Sequence, residues 1–509
     1  MNETSQALQK IARGTGIIFA GTVISTLFGF FNKAIIARYF NTAEYGVFNL
    51  ALTVFSVTLV IGTLGFGSSL PREVAIYREK KPLQLWDLVS TAIIILIFNS
   101  VLLALFLIVG ANTVARIFHD VRLGEPLKII ALALPFSASA MGIVAISRGF
   151  GRVREKVYFQ NICYPITFFI LILISAFLKF NFSYIFFAYT VAQVVTLIFL
   201  LFDVMRIRLI QFRIRFIPSL GKELVLFSLP LMFTGILGFI MTRTDTLMLG
   251  YYLTSTTVGI YNAATPLASM LPIFLNSAGF LYMPIASQLY SQEKLREMRR
   301  VYQILTKWVF LLTLPAFAVM FLFPEATIKF FFGADYLGAS KALQILALGF
   351  MFHTFLGLNG LSLIVIGEPK LNLIGNSFAA VFNVVLNVIL IPRYGLDGAA
   401  IATAVSYFVA NVFRTFWLYK RAQIHPFSWN YVKPLVISFV LLGGLKVLNL
   451  RITNIWYAVP ILIVFLGFYF LLILFSRSID REDVELLLAV EKKMGIDLDI
   501  IKKILRRFV

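Results

Sequence analysis

An all-α integral membrane protein with about fourteen transmembrane helices, built as two pseudo-symmetric six-helix lobes plus two C-terminal helices, is the fold class that three features of the 509-residue sequence predict. Apolar runs of about twenty residues recur along nearly the whole chain, the length a helix needs to cross a hydrocarbon core of about 30 Å. Every second connection between these runs is rich in lysine and arginine. The sequence also repeats itself at a constant offset.

Composition supports the first point. The chain is 60% hydrophobic and 14% charged, whereas a soluble domain is about one quarter charged. Spans are expected at 14–37, 46–70, 86–110, 125–147, 158–178, 184–204, 224–249, 257–284, 305–324, 341–366, 371–391, 398–419, 432–448 and 455–476. The first begins beyond Lys10 and Arg13, is too long for a signal-peptide core and lacks a small-residue cleavage site, so it reads as a retained helix. Cys163 is the only cysteine, which excludes an internal disulfide and argues against a cysteine-based metal site. His119, His353 and His425 lack metal-ligand spacing.

The net charge of +21 does not call for nucleic acid, because lysine and arginine collect in cytoplasmic loops of membrane proteins. Here they gather at Arg72, Arg78, Lys80 and Lys81; at Arg148, Arg152, Arg154 and Lys156; at Arg206, Arg208, Arg213 and Arg215; and at Lys294, Arg296, Arg299 and Arg300. That alternation predicts a multi-pass protein of the cell membrane with both termini cytoplasmic. From Ser476 onward the chain turns charged, with Val484, Leu487 and Leu488 at helical spacing and Gly495 as a break. The expectation is a cytoplasmic amphipathic tail over 477–509, either lying on the membrane surface or docking a partner.

The repeat aligns YFNTAEYGVFNLA at 39–51 with YLTSTTVGIYNAA at 252–264, pairing Gly46 with Gly259, Asn49 with Asn262 and Ala51 with Ala264. At the same offset Pro71 meets Pro284 and Tyr77 meets Tyr290. A six-helix repeat is even, so both copies enter the membrane in the same sense and are related by an axis along its normal, as in alternating-access carriers. The expected division is a lobe at 1–222, a lobe at 223–422 and two additional helices within 423–476.

Three segments carry a family resemblance: ARYFNTAEYGVFNLALTVFSVTLVIGTLGFGSSLPREVA, TDTLMLGYYLTSTTVGIYNAA, and GEPKLNLIGNSFAAVFNVVLNVILIPRYGLDGAAIAT. They resemble the polysaccharide-transporter branch of the multidrug/oligosaccharidyl-lipid/polysaccharide exporter superfamily, and the resemblance runs the length of the chain. It implies a flippase that translocates a pyrophosphate-type, lipid-linked oligosaccharide or polysaccharide precursor from the inner to the outer leaflet. It further implies a polyprenyl-linked substrate, membrane lipids around it, and a glycan polymerase or glycosyltransferases as partners. In related flippases the first, second, seventh and eighth helices line a central cavity, where cations meet the substrate's phosphates.

Charged groups within spans are the candidates for that role, since each costs roughly 2.5–3.5 kcal/mol on insertion scales. Lys33 in the first helix and Arg243 and Asp245 in the seventh lie at matching depth in the outer half, and the repeat sets Asn32 opposite Asp245. Asn49 and Asn262 open the second and eighth helices at a similar level. Together Asn32, Lys33, Asn49, Arg243, Asp245 and Asn262 are the expected substrate-binding ring, with a direct Lys33–Asp245 pair. Arginine and lysine suit phosphate oxygens where water is scarce. The competing reading for Lys33, Arg243 and especially Arg38 is snorkelling to the interface.

Asn372, Asn376, Asn383 and Asn387 fall within about 60° of one face of the eleventh helix. Asn376, Asn383 and Asn387 on that face, Asn359 on the tenth helix and Arg38 at the end of the first are the candidate cavity-lining residues, with hydrogen-bonded helix packing as the alternative for the amides. His353 shares that alternative. GFGSS at 65–69 invites a phosphate-loop reading but lies in an apolar run with no following lysine, so packing or flexing is expected. No GxxxxGK[ST] loop is present. No cofactor is expected; the energy would come from an ion gradient, the membrane potential or downhill flow, and Asp245 is the candidate site for a coupling H+ or Na+.

Three other functions remain open. A cation-coupled multidrug antiporter of the same superfamily usually keeps an acid in its first helix, and none lies between Gly14 and Arg38. A flippase of lipid II-type peptidoglycan precursors is not separated by sequence. A membrane-embedded glycosyltransferase, polymerase or ligase would need gathered carboxylates or histidines in a sizeable outer loop, and the outer connections near 111–124 and 325–340 are short and carry no paired carboxylates.

Overall fold

The computed structural model describes residues 3–207, 209, 214–448, 452–478 and 480, with the side chains of 3–19 outside the description. All regular structure among these residues is helical. The helices are α1 (Glu3–Tyr39), α2 (Thr42–Gly62), α3 (Phe66–Lys80), α4 (Leu85–Ile117), α5 (Gly124–Ala131), α6 (Leu134–Gly149), α7 (Tyr164–Phe177), α8 (Tyr184–Arg206) and α9 (Pro218–Tyr252). They continue with α10 (Ser255–Ala268), α11 (Ile273–Ser291), α12 (Leu295–Leu322), α13 (Pro324–Phe331), α14 (Ser340–Phe355), α15 (Asn359–Val365), α16 (Pro369–Ala422), α17 (Trp429–Val447) and α18 (Ile455–Phe475).

Among the described residues, eleven helical stretches are long and apolar enough to cross a membrane, or thirteen when two bent pairs each count as one span. The bends are 46° between α5 and α6 and 44° between α10 and α11. Prolines stand at both: Pro135 opens α6, and Pro266 and Pro272 flank the second break. A ring without an N–H removes a helical hydrogen bond and crowds the preceding turn. Against the fourteen spans expected, α16 counts once although it covers both 371–391 and 398–419. Gly395 interrupts it at φ 58°, ψ −132°, a conformation open to glycine.

The chain divides into two compact units, residues 1–263 with 383–399, and residues 264–382 with 400–509. In the first, Phe66, Leu70, Val74, Leu88, Val89 and Ile146 belong to a fully buried cluster. In the second, Tyr282, Met298, Tyr302, Leu363 and Leu418 do the same. Large apolar side chains also face outward, as at Phe98, Phe106 and Val109 on α4. In a water-soluble protein that surface would be costly; in a bilayer it is the expected exterior.

The aligned glycines mark a close crossing inside the first unit. A Cβ added at Gly46 would stand 1.7 Å from the Ser255 carbonyl oxygen, and one added at Gly259 would stand 2.0 Å from that of Thr42. Thr42 and Ser255 are themselves repeat partners, so the contact is symmetric in the repeat. Small residues let membrane helices approach backbone to backbone. The GFGSS stretch is also a packing device. Gly65 (φ 75°) starts α3 with its α-carbon face against Ser228 and Met232, and Ser69 Oγ meets Ser228 Oγ at 2.6 Å.

Outside the spans, charged groups tie connections down. Burial raises the Asp120 carboxyl, but hydrogen bonds from Arg122 and Ser255 outweigh it and hold the group below its ordinary value. At the end of α18, Asp480 accepts from Lys307, from Arg300 at 2.8 Å and from Asn430 at 2.8 Å. Burial again pushes this carboxyl up and the three donors more than reverse it. The expected amphipathic tail beyond Asp480 lies outside the described residues, as do Arg208 and Arg213.

Candidate functional site

The expected ring resolves into two polar groups within the first unit. One is cationic. Lys33 on α1 is half-buried, and the Arg243 guanidinium on α9 is the charged group close enough to act on it. Arg243 in turn acts on the phenols of Tyr189 and Tyr45. Tyr189 is hydrogen-bonded to Tyr164 and Gln193, and its ring meets those of Tyr164, Phe168 and Phe55 edge-on at 5.7, 5.5 and 5.3 Å. Among the described residues neither Lys33 nor Arg243 makes an ion pair with a carboxylate. Two like charges and a set of phenol hydroxyls thus share one aromatic-walled region.

The other group surrounds Asp245. Its Oδ2 accepts from Tyr261 Oη at 2.6 Å, and its Oδ1 from Asn387 Nδ2 at 2.8 Å and Asn383 Nδ2 at 3.3 Å. Asn387 Nδ2 also reaches Asn383 Oδ1 at 3.2 Å, while Asn387 Oδ1 is buried without a hydrogen bond. No ion pair joins Lys33 to Asp245 among the described residues, so the direct pair expected between them does not form. Arg243 and Asp245, two residues apart, point to different sides of α9, and three neutral donors take the place that the lysine was expected to fill.

The four-asparagine face of the eleventh span divides as well. Asn383 and Asn387 serve Asp245. Asn376 accepts from Arg414 Nη2 in the second unit, and Asn372 packs beside Gly360. Asn359 donates to Thr415 Oγ1 at 3.0 Å and to Asn411 Oδ1 at 3.1 Å, and His353 Nδ1 also lies 3.1 Å from Asn411 Oδ1. Hydrogen bonding between helices accounts for these two residues.

Asn32 and the aligned pair Asn49 and Asn262 point elsewhere. Asn32 Nδ2 donates to the Pro165 carbonyl at 3.4 Å, joining α1 to α7. Asn49 donates to the Tyr45 carbonyl of its own helix at 2.7 Å. Asn262 exchanges hydrogen bonds with Thr246 and donates to the Val258 carbonyl. Tyr45 Oη, in turn, donates to the Asn262 carbonyl at 3.1 Å, beside the Gly46–Gly259 crossing. Arg38 is exposed in the last turn of α1.

Sequence reasoning missed Tyr164, Tyr189 and Gln193, whose grouping depends on how α7 and α8 pack, and Arg414, a buried arginine inside a span. It also missed Lys307, because the partner carboxylate lies beyond the last span.

A family model described as polysaccharide biosynthesis protein matches residues 11–290, more than half of the chain. The chain belongs to the polysaccharide biosynthesis protein family. A second model, MatE, matches residues 230–389. Among relatives of this family member is an uncharacterised membrane protein of Methanocaldococcus jannaschii, 23% identical over 98% of this chain and 99% of that protein. A probable low-salt glycan biosynthesis flippase of Haloferax volcanii is 29% identical over 210 residues, 40% of this chain and 44% of that protein. The fold is similar to that of the lipid II flippase MurJ, whose structure was solved in an inward closed conformation, with a TM-score of 0.72 at 18% identity over 91% of this chain and 98% of that one. The family member is thus a multi-pass membrane protein of this transporter fold.

Proposed function

We propose that this chain is a flippase, a transporter rather than a catalyst, that moves a diphosphate-bearing, lipid-linked oligosaccharide from the inner to the outer leaflet. The carrying observation is the cationic region of the first unit. Lys33 and Arg243 stand close enough to repel, without a carboxylate to pair with among the described residues, in a part of the chain where an uncompensated charge is costly. A diphosphate resolves that cost by supplying charge-assisted hydrogen bonds to both. The phenols of Tyr164 and Tyr189 beside them offer donors and apolar faces of the kind that hold sugars. Family membership and the glycan-flippase relative support the same substrate class.

The repeat-related lobes, 1–222 and 223–422, supply the two arms of an alternating-access cycle, and both termini are cytoplasmic on the evidence of the alternating basic connections. Coupling falls to Asp245. Its carboxylate, the Tyr261 hydroxyl and the unpartnered Asn387 Oδ1 form an oxygen-rich set, suited to a sodium ion and equally to a proton on the carboxyl. The polyprenyl carrier stays among membrane lipids, and a glycan polymerase or glycosyltransferases act on either side of the step.

Deleting the gene and locating the glycolipid tests this reading. Precursor should accumulate on the inner leaflet while external glycan falls; normal outward delivery with no paralogue present contradicts it. A second reading, a cation-coupled drug antiporter, draws on the MatE match over 230–389 and on Asp245. It predicts drug sensitivity on deletion with glycan unchanged.

A further inference from the structure

Arg414 lies within the second half of α16, is 8% exposed, and has its Nε–H buried without a hydrogen bond. Its Nη2 donates to the amide oxygen of Asn376. No carboxylate pairs with it among the described residues; Glu368, at the start of α16, is held by Arg421 at 3.2 Å. Snorkelling does not account for the position. Lys420 and Arg421 mark the helix end, about 9 Å further along at 1.5 Å per residue, and the side chain is buried. A cation in this setting, facing a neutral amide, calls for a counter-charge.

Glycines let the backbone come close to the side chain of Arg414. A Cβ at Gly375 would stand 3.2 Å from both Cγ and Nε of Arg414, and one at Gly360 would stand 2.8 Å from Asn372 Oδ1. Asn372 and Asn376 are themselves half-buried and form the approach from the start of α16. The Asn359 amide is committed to Asn411 and Thr415, which fixes the opposite wall. The remaining features are an unused guanidinium N–H, neighbouring amides, glycine-lined walls and, among the described residues, no acid.

We infer that Arg414, with Asn372 and Asn376, forms a second anion site, contained in the second unit and taking a phosphate-type oxyanion. The identity of the natural ligand as a glycolipid diphosphate rests on the flippase reading; the anion chemistry does not. With two separate cationic stations, the headgroup can be held without Lys33 and Arg243.

The test uses the purified full-length chain in lipid nanodiscs, titrated calorimetrically with inorganic pyrophosphate and with geranyl diphosphate as a short-chain probe. In a K33A/R243A background one binding event should remain. Adding R414Q should weaken it at least tenfold, and R414K should recover part of the loss. N376D, which installs the missing carboxylate, should abolish probe binding while raising the melting temperature. If R414Q or N376D leaves the remaining affinity equal to that of the parent, or no binding remains in the K33A/R243A background, the site does not exist. Failure of the flippase reading would look different: glycolipid delivery normal in the deletion strain, with diphosphate binding and its loss in R414Q intact.

Discussion

Arg243 and Asp245 are two residues apart on one helix and occupy opposite chemical surroundings. Asp245 is closed in by a phenol and two amides, each within hydrogen-bond distance. Arg243 faces another cation and aromatic rings. The same helix thus carries one polar group that the fold has satisfied and one that it has left open. In a membrane, where an unmet charge is costly, satisfied groups hold structure or small ions, and open ones wait for a larger ligand of opposite sign.

Breaking the open side should have the largest effect. K33A/R243A should lower glycolipid transport by about a hundredfold or more, without lowering protein level or melting temperature, because two charge-assisted contacts to phosphate are lost at roughly 1.5–3 kcal/mol each. Transport near the wild-type rate would separate these cations from the substrate. On the closed side, D245N keeps an oxygen for Tyr261 but loses the charge. Transport in proteoliposomes should fall about tenfold and stop responding to an imposed sodium or proton gradient; a variant that still responds would remove Asp245 from coupling.

Structural contacts away from both groups sharpen the contrast. G259V should cost about 1–3 kcal/mol or more, since the added side chain meets the Thr42 carbonyl and the helices must part; thermal melts in detergent measure it. D480N should lower the melting temperature by roughly 2–4 °C. The sign with pH follows from the depressed carboxyl. Its stabilisation is present above the ordinary carboxylate value and is lost as pH falls through the lowered one. Wild-type and D480N melts should therefore converge in acid and separate toward neutrality. Within the aligned pair, N262A should destabilise more than N49A, because Asn262 bonds to Thr246 across helices whereas Asn49 bonds only within its own.

Much of the fold was legible in the sequence because hydrophobic length and basic connections respond to the same bilayer. The Gly46–Gly259 crossing was visible as an aligned pair before it was visible as a contact. Lys33 and Arg243 were equally legible, being charges inside apolar runs. The partners of Asp245 were not. Asn383 and Asn387 lie far along the chain, and their shared face gave the direction of the helix without its neighbour. Arg414 gave little signal: five residues from the expected span end at 419, it resembles an interfacial arginine, and it is the fold that buries it, packed against Gly375. Lys307 was hidden for a similar reason, since its counter-charge comes from Asp480 beyond the last span.

The most direct measurement of the central claim is leaflet exposure of a lipid-linked oligosaccharide diphosphate in proteoliposomes reconstituted with the wild-type chain or with K33A/R243A. The account predicts rapid equilibration between leaflets for the wild type and near-background rates for the double variant. Equal rates in the two preparations would contradict it.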